Sequence, residues 1–473
     1  MENNTIAKGK NEKLPFKVKL AYGLSGYTSF ITWTIFSLYG MYFFTDVVGL
    51  AAAFAGAIIS LGTIWDAITD PIIGSISDNI KSEKGRRRPL IIGVAVPFVL
   101  ISILLFTNFG FGEAVSKVYF VIVILLYYTA QTVLDISSSA LGSEMTVDYD
   151  ERSTLATYKN FFCMAVVIII SPTLMLVTYF GEKLENPDYG WSCALAIYMI
   201  IALIFIFILW KTTKGYEKQN NDGNTAKFSF RDVKEIFKNK STRIVMIIFA
   251  LAVFGNTINL SLQVYFYSYY MQLNEAQIAG VTMVVGILSC LGAFGIDVLC
   301  KKTSKKAAWI ISVGIEGLAM VLFIGFILGP GNTGMLYVLV LLMALGTCAV
   351  YQVPWSMIPD CVDVNELESG KRTDGIIFGL IAFIQKVSGA VAMALVGVIL
   401  TAIGYVEGAV QSAETLAGLK YSYAFICGGI FIISVLVVLK YPLSKGRHDE
   451  VLKGIEDKKQ GKSIDMNEFK DLI

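Results

Sequence analysis

The chain has 473 residues, 55% of them hydrophobic and only 16% charged, and its mean hydropathy is +0.63. Soluble domains carry roughly 25% charged residues, so this composition excludes an ordinary soluble domain and places the chain among polytopic membrane proteins. The net charge of +2 gives no ground for nucleic-acid binding, because the basic residues fall in membrane-proximal loops.

Residues 1–17 are polar and basic, with no short apolar core followed by a small-residue cleavage site, so the first apolar span is expected to direct insertion itself. Twelve apolar segments of about 20 residues, the length that crosses a hydrocarbon core, then follow in order. They fall at 21–45, 52–78, 89–109, 116–142, 157–180, 191–210, 243–271, 277–299, 307–328, 334–358, 374–403 and 420–441. The expected fold is an all-α membrane protein with twelve transmembrane helices in two six-helix bundles, 1–210 and 243–441. A cytoplasmic linker at 211–242 separates them, and a charged tail occupies 442–473. Within the linker, RDVKEIFKNK reads as an amphipathic segment. The SIDMNEFKDLI end of the tail reads equally as a short helix or as a solvated strand of chain.

With the N-terminus inside, exterior loops hold only Lys117, Lys183 and Lys420, Lys386 lies within span 11, and the other 35 of 39 Lys and Arg are cytoplasmic or at cytoplasmic helix ends. Both termini are therefore expected inside an inner or plasma membrane. The seven cysteines, 163, 193, 290, 300, 348, 361 and 427, contain no CxxC and read as packing residues.

Span 2 carries the most informative residues, in IWDAITDPIIGSISDNIKSEKGRRRP at 64–89. Asp66 and Asp70 are four apart and share a helix face. A carboxylate near the bilayer centre costs about 2.5–3.5 kcal/mol on insertion scales, so such a pair faces a bundle interior or a water-filled path. Together they mark a cation site, with Na+ a candidate at Asp66 and Asp70, although a desolvated carboxylate also serves as a proton carrier. Pro71 lacks an amide donor and frees the Ala67 carbonyl one turn back. The loop after span 2 corresponds weakly to GAFGIDVLCKKTSKK after span 8, and Asp78, Arg86 and Arg87 read as a conformational latch.

Three segments together resemble the glycoside-pentoside-hexuronide:cation symporters, a branch of the major facilitator superfamily that includes the melibiose and xyloside permeases. They are WDAITDPIIGSISDNIKSEKGRRRP, YFFTDVVGL at 42–50, and PWSMIPDCVDVNELESGKRTDGIIFGLIAFIQKVSGA at 354–390. The resemblance implies a cation-coupled symporter of a glycoside or related sugar, using Na+ or H+ and no other cofactor. It assigns the cation to Asp66 and Asp70, with Thr69 standing where some relatives carry Asn, and adds Thr132 and Asp135 of span 4. Asp135 and the lone intramembrane Lys386 take coupling roles, and Asp363 and Arg372 join the latch. The expected partners are a small sugar-like solute, a monovalent cation and membrane lipids, with a monomer as the working unit and no nucleic acid.

The expected sugar site departs from the relatives. Phe30 replaces an acidic residue of span 1, Ser139 replaces a tryptophan of span 4, and Asn160, beside Lys159, replaces an arginine of span 5. Candidate replacements are Asn256, Asn259 and Gln263, a polar stripe on span 7, with Gln131, Gln352, Tyr128 and Trp355. The stripe serves equally well for solute or for helix-to-helix hydrogen bonds. Two other readings stay open: the same fold carrying a lipid or other amphiphile, and a membrane-embedded enzyme. The second is disfavoured because the single histidine, His448, lies in the tail and no HExxH or GxSxG occurs.

Overall fold

The structure, a computed structural model, describes residues 13–80, 87–146, 148–216, 236–237, 239–370, 374–460, 462, 465–470 and 472. Among them there are helices and no strand. In chain order the helices are α1 (Phe16–Tyr42), α2 (Ala52–Asn79), α3 (Arg88–Leu105), α4 (Glu113–Met145), α5 (Tyr149–Ile170), α6 (Thr173–Lys183) and α7 (Pro187–Thr212). There follow α8 (Lys240–Tyr265), α9 (Glu275–Lys302), α10 (Lys305–Leu318), α11 (Thr333–Ser369), α12 (Asp374–Ala402), α13 (Ala413–Tyr421), α14 (Gly428–Val438) and α15 (Lys445–Lys459). Their ends are fixed by local chemistry. Asn274 and Gln277 close a capping box on α9, and the Ser304 and Asn332 side chains accept amide bonds at the starts of α10 and α11.

Among the described residues, helices fall at each of the twelve expected spans. Ten described helical spans are long and apolar enough to cross a membrane, and the α5–α6 pair, bent by 46°, makes an eleventh. The bend corrects the expectation of one continuous span at 157–180: Pro172 sits at the break and has no amide to carry the helix through. The remaining span is α1, whose apolar stretch is diluted by Lys17, Lys19 and several Ser and Thr. Side chains such as Ile72, Leu100, Ile200, Leu291, Phe294 and Phe326 are each more than half exposed, which suits a surface facing lipid.

Two compact units emerge: Met1–Phe36 with Trp65–Gly223, and Ser37–Ile64 with Asn224–Ile473. The first is built on α3, α4 and α7 packed together, α6 against α7, and an ion pair from Lys19 to Glu151 at 2.8 Å. The second groups α8 to α15 with residues 37–64, which a division by sequence order puts with the first bundle. Small residues explain the grouping. A Cβ on Gly56 would meet the Met393 carbonyl at 2.7 Å, one on Gly397 would meet the Ala52 carbonyl at 2.5 Å, and Ser60 Oγ donates to the Ala390 carbonyl at 2.7 Å.

The tail is packed, so of the two readings of its end the short helix holds and solvated chain does not. Helix α15 lies on α11, with Val451 and Ile455 buried, and a short 3-10 turn at Met466–Phe469 buries Phe469. Leu472 is also buried, and its carbonyl accepts from Ser241 N at 3.1 Å and Ser241 Oγ at 2.7 Å.

Candidate functional site

In the first unit, α2 and α4 bring three of the expected cation residues, Asp66, Thr69 and Thr132, into one hydrogen-bonded group. Thr132 Oγ1 donates to Asp66 Oδ1 at 2.6 Å, Thr69 Oγ1 donates to the Asp66 carbonyl at 3.2 Å, and the two threonine hydroxyls are 3.3 Å apart. Thr132 Oγ1 also lies 2.8 Å from the Tyr128 carbonyl, so its single hydrogen has two acceptors to choose between. Both threonines are buried, and Asp66 and Asp70 are half-buried. The result is a patch of hydroxyl and carboxylate oxygen. Among the described residues no group of three or more His, Cys, Asp or Glu is placed to hold a metal ion. A cation bound here would therefore be held by carboxylates helped by hydroxyl and carbonyl oxygens.

One turn further along α4, Gln131 Nε2 donates to Asp135 Oδ2 at 2.7 Å and to the Ser29 carbonyl at 2.9 Å. Gln131 Oε1 and Asp135 Oδ1 are buried with no hydrogen-bond partner among the described residues. Buried acceptors without donors are costly, and two on the same amide–carboxylate pair form a place that a hydroxyl-bearing solute or a cation would satisfy. Tyr128, by contrast, is buried against Phe36 and Tyr127, a packing position.

The departures from the sugar-transporting pattern also sit in this unit. Phe30 packs on Trp33 with ring centroids 4.9 Å apart. Lys159 Nζ donates to Ser139 Oγ at 3.0 Å, so the two replaced positions of α4 and α5 are connected through the neighbouring lysine. Asn160 and Lys159 line an open cleft together with Tyr22, Ser143 and Arg152.

The remaining solute candidates belong to the second unit. Asn256 Nδ2 donates to Tyr351 Oη at 2.7 Å, a helix-to-helix bond from α8 to α11. Asn259 and Gln263 are buried on the same face of α8, and Asn259 Oδ1 and Gln352 Oε1 have no hydrogen-bond partner among the described residues. Trp355 is partly exposed between Phe249, edge-on at 5.3 Å, and Phe378, stacked at 6.5 Å. Lys386 is half-buried on α12.

Of the latch residues, Arg86, Arg372 and the Asp78 side chain lie outside the described residues. Arg87 is buried and donates from Nε to Glu144 Oε1 at 3.0 Å and from Nη1 to Ser77 Oγ. Asp363 meets His448 Nε2 of α15 at 3.0 Å, which makes the tail its partner.

Sequence reasoning missed a further cluster in the second unit. A π-helical turn at Phe43–Val47 extends α1 and another at Phe266–Tyr270 extends α8. These turns present Asp46 to the hydroxyls of Thr45 at 2.6 Å, Tyr269 and Tyr405, while Thr45 and Tyr265 share a hydrogen bond at 2.7 Å. One carboxylate thus ties the ends of α1, α8 and α12. The TD of YFFTDVVGL was the available signal, but nothing in the sequence pairs it with two tyrosines hundreds of residues away. Hydrogen bonds to a charged group contribute about 1.5–3 kcal/mol each. The double variant Tyr269→Phe, Tyr405→Phe is expected to lose about 3 kcal/mol or more of stability, read as a lower melting temperature of the purified protein.

The sequence profile of the family described as MFS/sugar transport protein matches residues 21–445. An isoprimeverose transporter of Lactiplantibacillus pentosus is 26% identical over 439 residues, covering 91% of this chain and 90% of that one. The inner membrane symporter YicJ of Escherichia coli (strain K12) is 25% identical over 436 residues, covering 91% and 93%. Among solved structures, a D-xylose-proton symporter aligns with a TM-score of 0.64 at 17% identity, over 91% of this chain and 99% of that one, a likeness of fold.

Proposed function

The chain belongs to the MFS/sugar transport protein family, and from that premise we propose that it is a cation-coupled symporter importing a glycoside or related sugar by alternating access. The observation that carries the coupling is the oxygen patch of Asp66, Thr69 and Thr132 between α2 and α4. A monovalent cation bound there neutralises carboxylate that would otherwise resist enclosure in a low-dielectric interior. Sodium suits such hard oxygen ligands, and a proton on the same carboxylates is the competing ion.

Asp135 couples the two ligands. It sits one turn from Thr132 on α4, and its unpartnered Oδ1, with Gln131 Oε1, accepts from solute hydroxyls as the cation arrives. In the first unit, Lys159 and Asn160 supply further polar surface for a sugar; within the second unit, Asn256, Asn259, Gln263, Gln352 and Trp355 are the candidate sugar contacts. Lys386 of α12 takes a coupling role. The protein works as a monomer in an inner or plasma membrane, with both termini cytoplasmic.

Uptake of labelled glycosides, pentosides and uronides by transporter-deficient cells, with and without Na+ at two pH values, tests this. Accumulation that rises with Na+ or with proton supply supports symport and identifies the ion. No accumulation of any of them, with the protein in the membrane, rejects a sugar as the solute.

A further inference from the structure

Glu316 lies on α10 and is fully buried. Thr347 Oγ1 of α11 donates to its Oε1 at 3.0 Å. Its Oε2 is buried with no hydrogen-bond partner among the described residues, and it points at Gly346, where a Cβ would strike the carboxyl. Behind it α10 seals against the start of α14: a Cβ on Gly317 would meet the Gly428 carbonyl at 3.0 Å.

The ionisable groups within electrostatic range are Cys348 and Tyr351 of α11, and Tyr423 and Cys427 of the π-helical turn between α13 and α14. None is a cation, and among the described residues no ion pair includes Glu316. An ionised carboxylate in such a place, with one hydroxyl for company, is far costlier than the neutral acid. The neutral acid leaves only an O–H short of an acceptor.

We propose that Glu316 is a proton-binding site in the second unit, separate from the aspartates of α2 and α4, whose proton keeps α10 joined to α11. Thr347, its partner, lies one turn before Tyr351, which receives Asn256 of the amide stripe on α8. Loss of the proton leaves an unpaired charge between α10 and α11, and α11 carries that disturbance to the stripe. The last link rests on the symport reading, whereas the proton site itself does not.

Infrared difference spectra of the purified protein in lipid at pH 7 test the site without any transported solute, so a failure here is distinct from a failure of symport. Wild type minus Glu316→Gln is expected to show a protonated-carboxyl C=O band, and Thr347→Val is expected to shift that band to higher frequency by removing its hydrogen-bond donor. If Glu316→Gln does not accumulate, the shift between wild type and Thr347→Val carries the test. Carboxylate bands in place of the C=O band, or no shift with Thr347→Val, overturns the proposal.

Discussion

Asp66→Asn is expected to reduce cation-stimulated uptake at least tenfold while the protein still inserts and purifies. The variant keeps the side chain's shape and loses a charge from the patch that Thr132 and Thr69 complete. A hydrogen bond or ion contact to a charged group contributes about 1.5–3 kcal/mol, which corresponds to about 10- to 100-fold in an affinity. Asp70→Asn is expected to behave likewise, and Thr132→Val to show a smaller loss because it removes a neutral ligand. Initial uptake rates against cation concentration, normalised to protein in the membrane, check this. Unchanged stimulation in Asp66→Asn and Asp70→Asn removes the assigned site.

Deleting residues 445–473 is expected to destabilise the whole second unit. The segment buries Val451, Ile455, Phe469 and Leu472. Full burial of such side chains contributes about 1.5–3 kcal/mol each, an upper estimate because unfolded chains already hide some of that surface. The deletion also removes Lys459 from Glu366 at 2.8 Å, His448 from Asp363 at 3.0 Å, and the Leu472 carbonyl from Ser241 at the start of α8. A fall in melting temperature on the order of 10 °C is expected, together with low accumulation in the membrane. The gentler Phe469→Ala is expected to cost about 3 kcal/mol or more. A truncated protein with wild-type melting behaviour rejects a structural role for the tail.

The spans were legible because each needs some 20 apolar residues in a row, a signal that survives without knowledge of packing. Asp66 and Asp70 were legible because carboxylates inside apolar helices are rare and their spacing fixes which face they share, whereas Thr132 and Asp135 came through the family resemblance. Pairings across long separations were not. Arg87 finds Glu144, and Asp46 finds Tyr269 and Tyr405, through a fold that no local pattern specifies. The tail was ambiguous for a different reason: its buried residues are scattered among many charged ones, so composition reads as solvent while a few side chains dock. The bend at Pro172 was visible in principle, since a proline within an apolar run breaks the amide ladder. In the amide stripe of α8, Asn256 makes a helix-to-helix bond to Tyr351, a pairing that the stripe's spacing alone did not specify.

The most direct measurement is cation movement driven by sugar in proteoliposomes. With a transported glycoside imposed as the only gradient, radioactive Na+, or protons reported by an internal pH dye, are expected to enter with the sugar in wild type. Asp66→Asn is expected to abolish this cation flux. Sugar entry with no accompanying cation in wild type, or an undiminished cation flux in Asp66→Asn, contradicts this coupling.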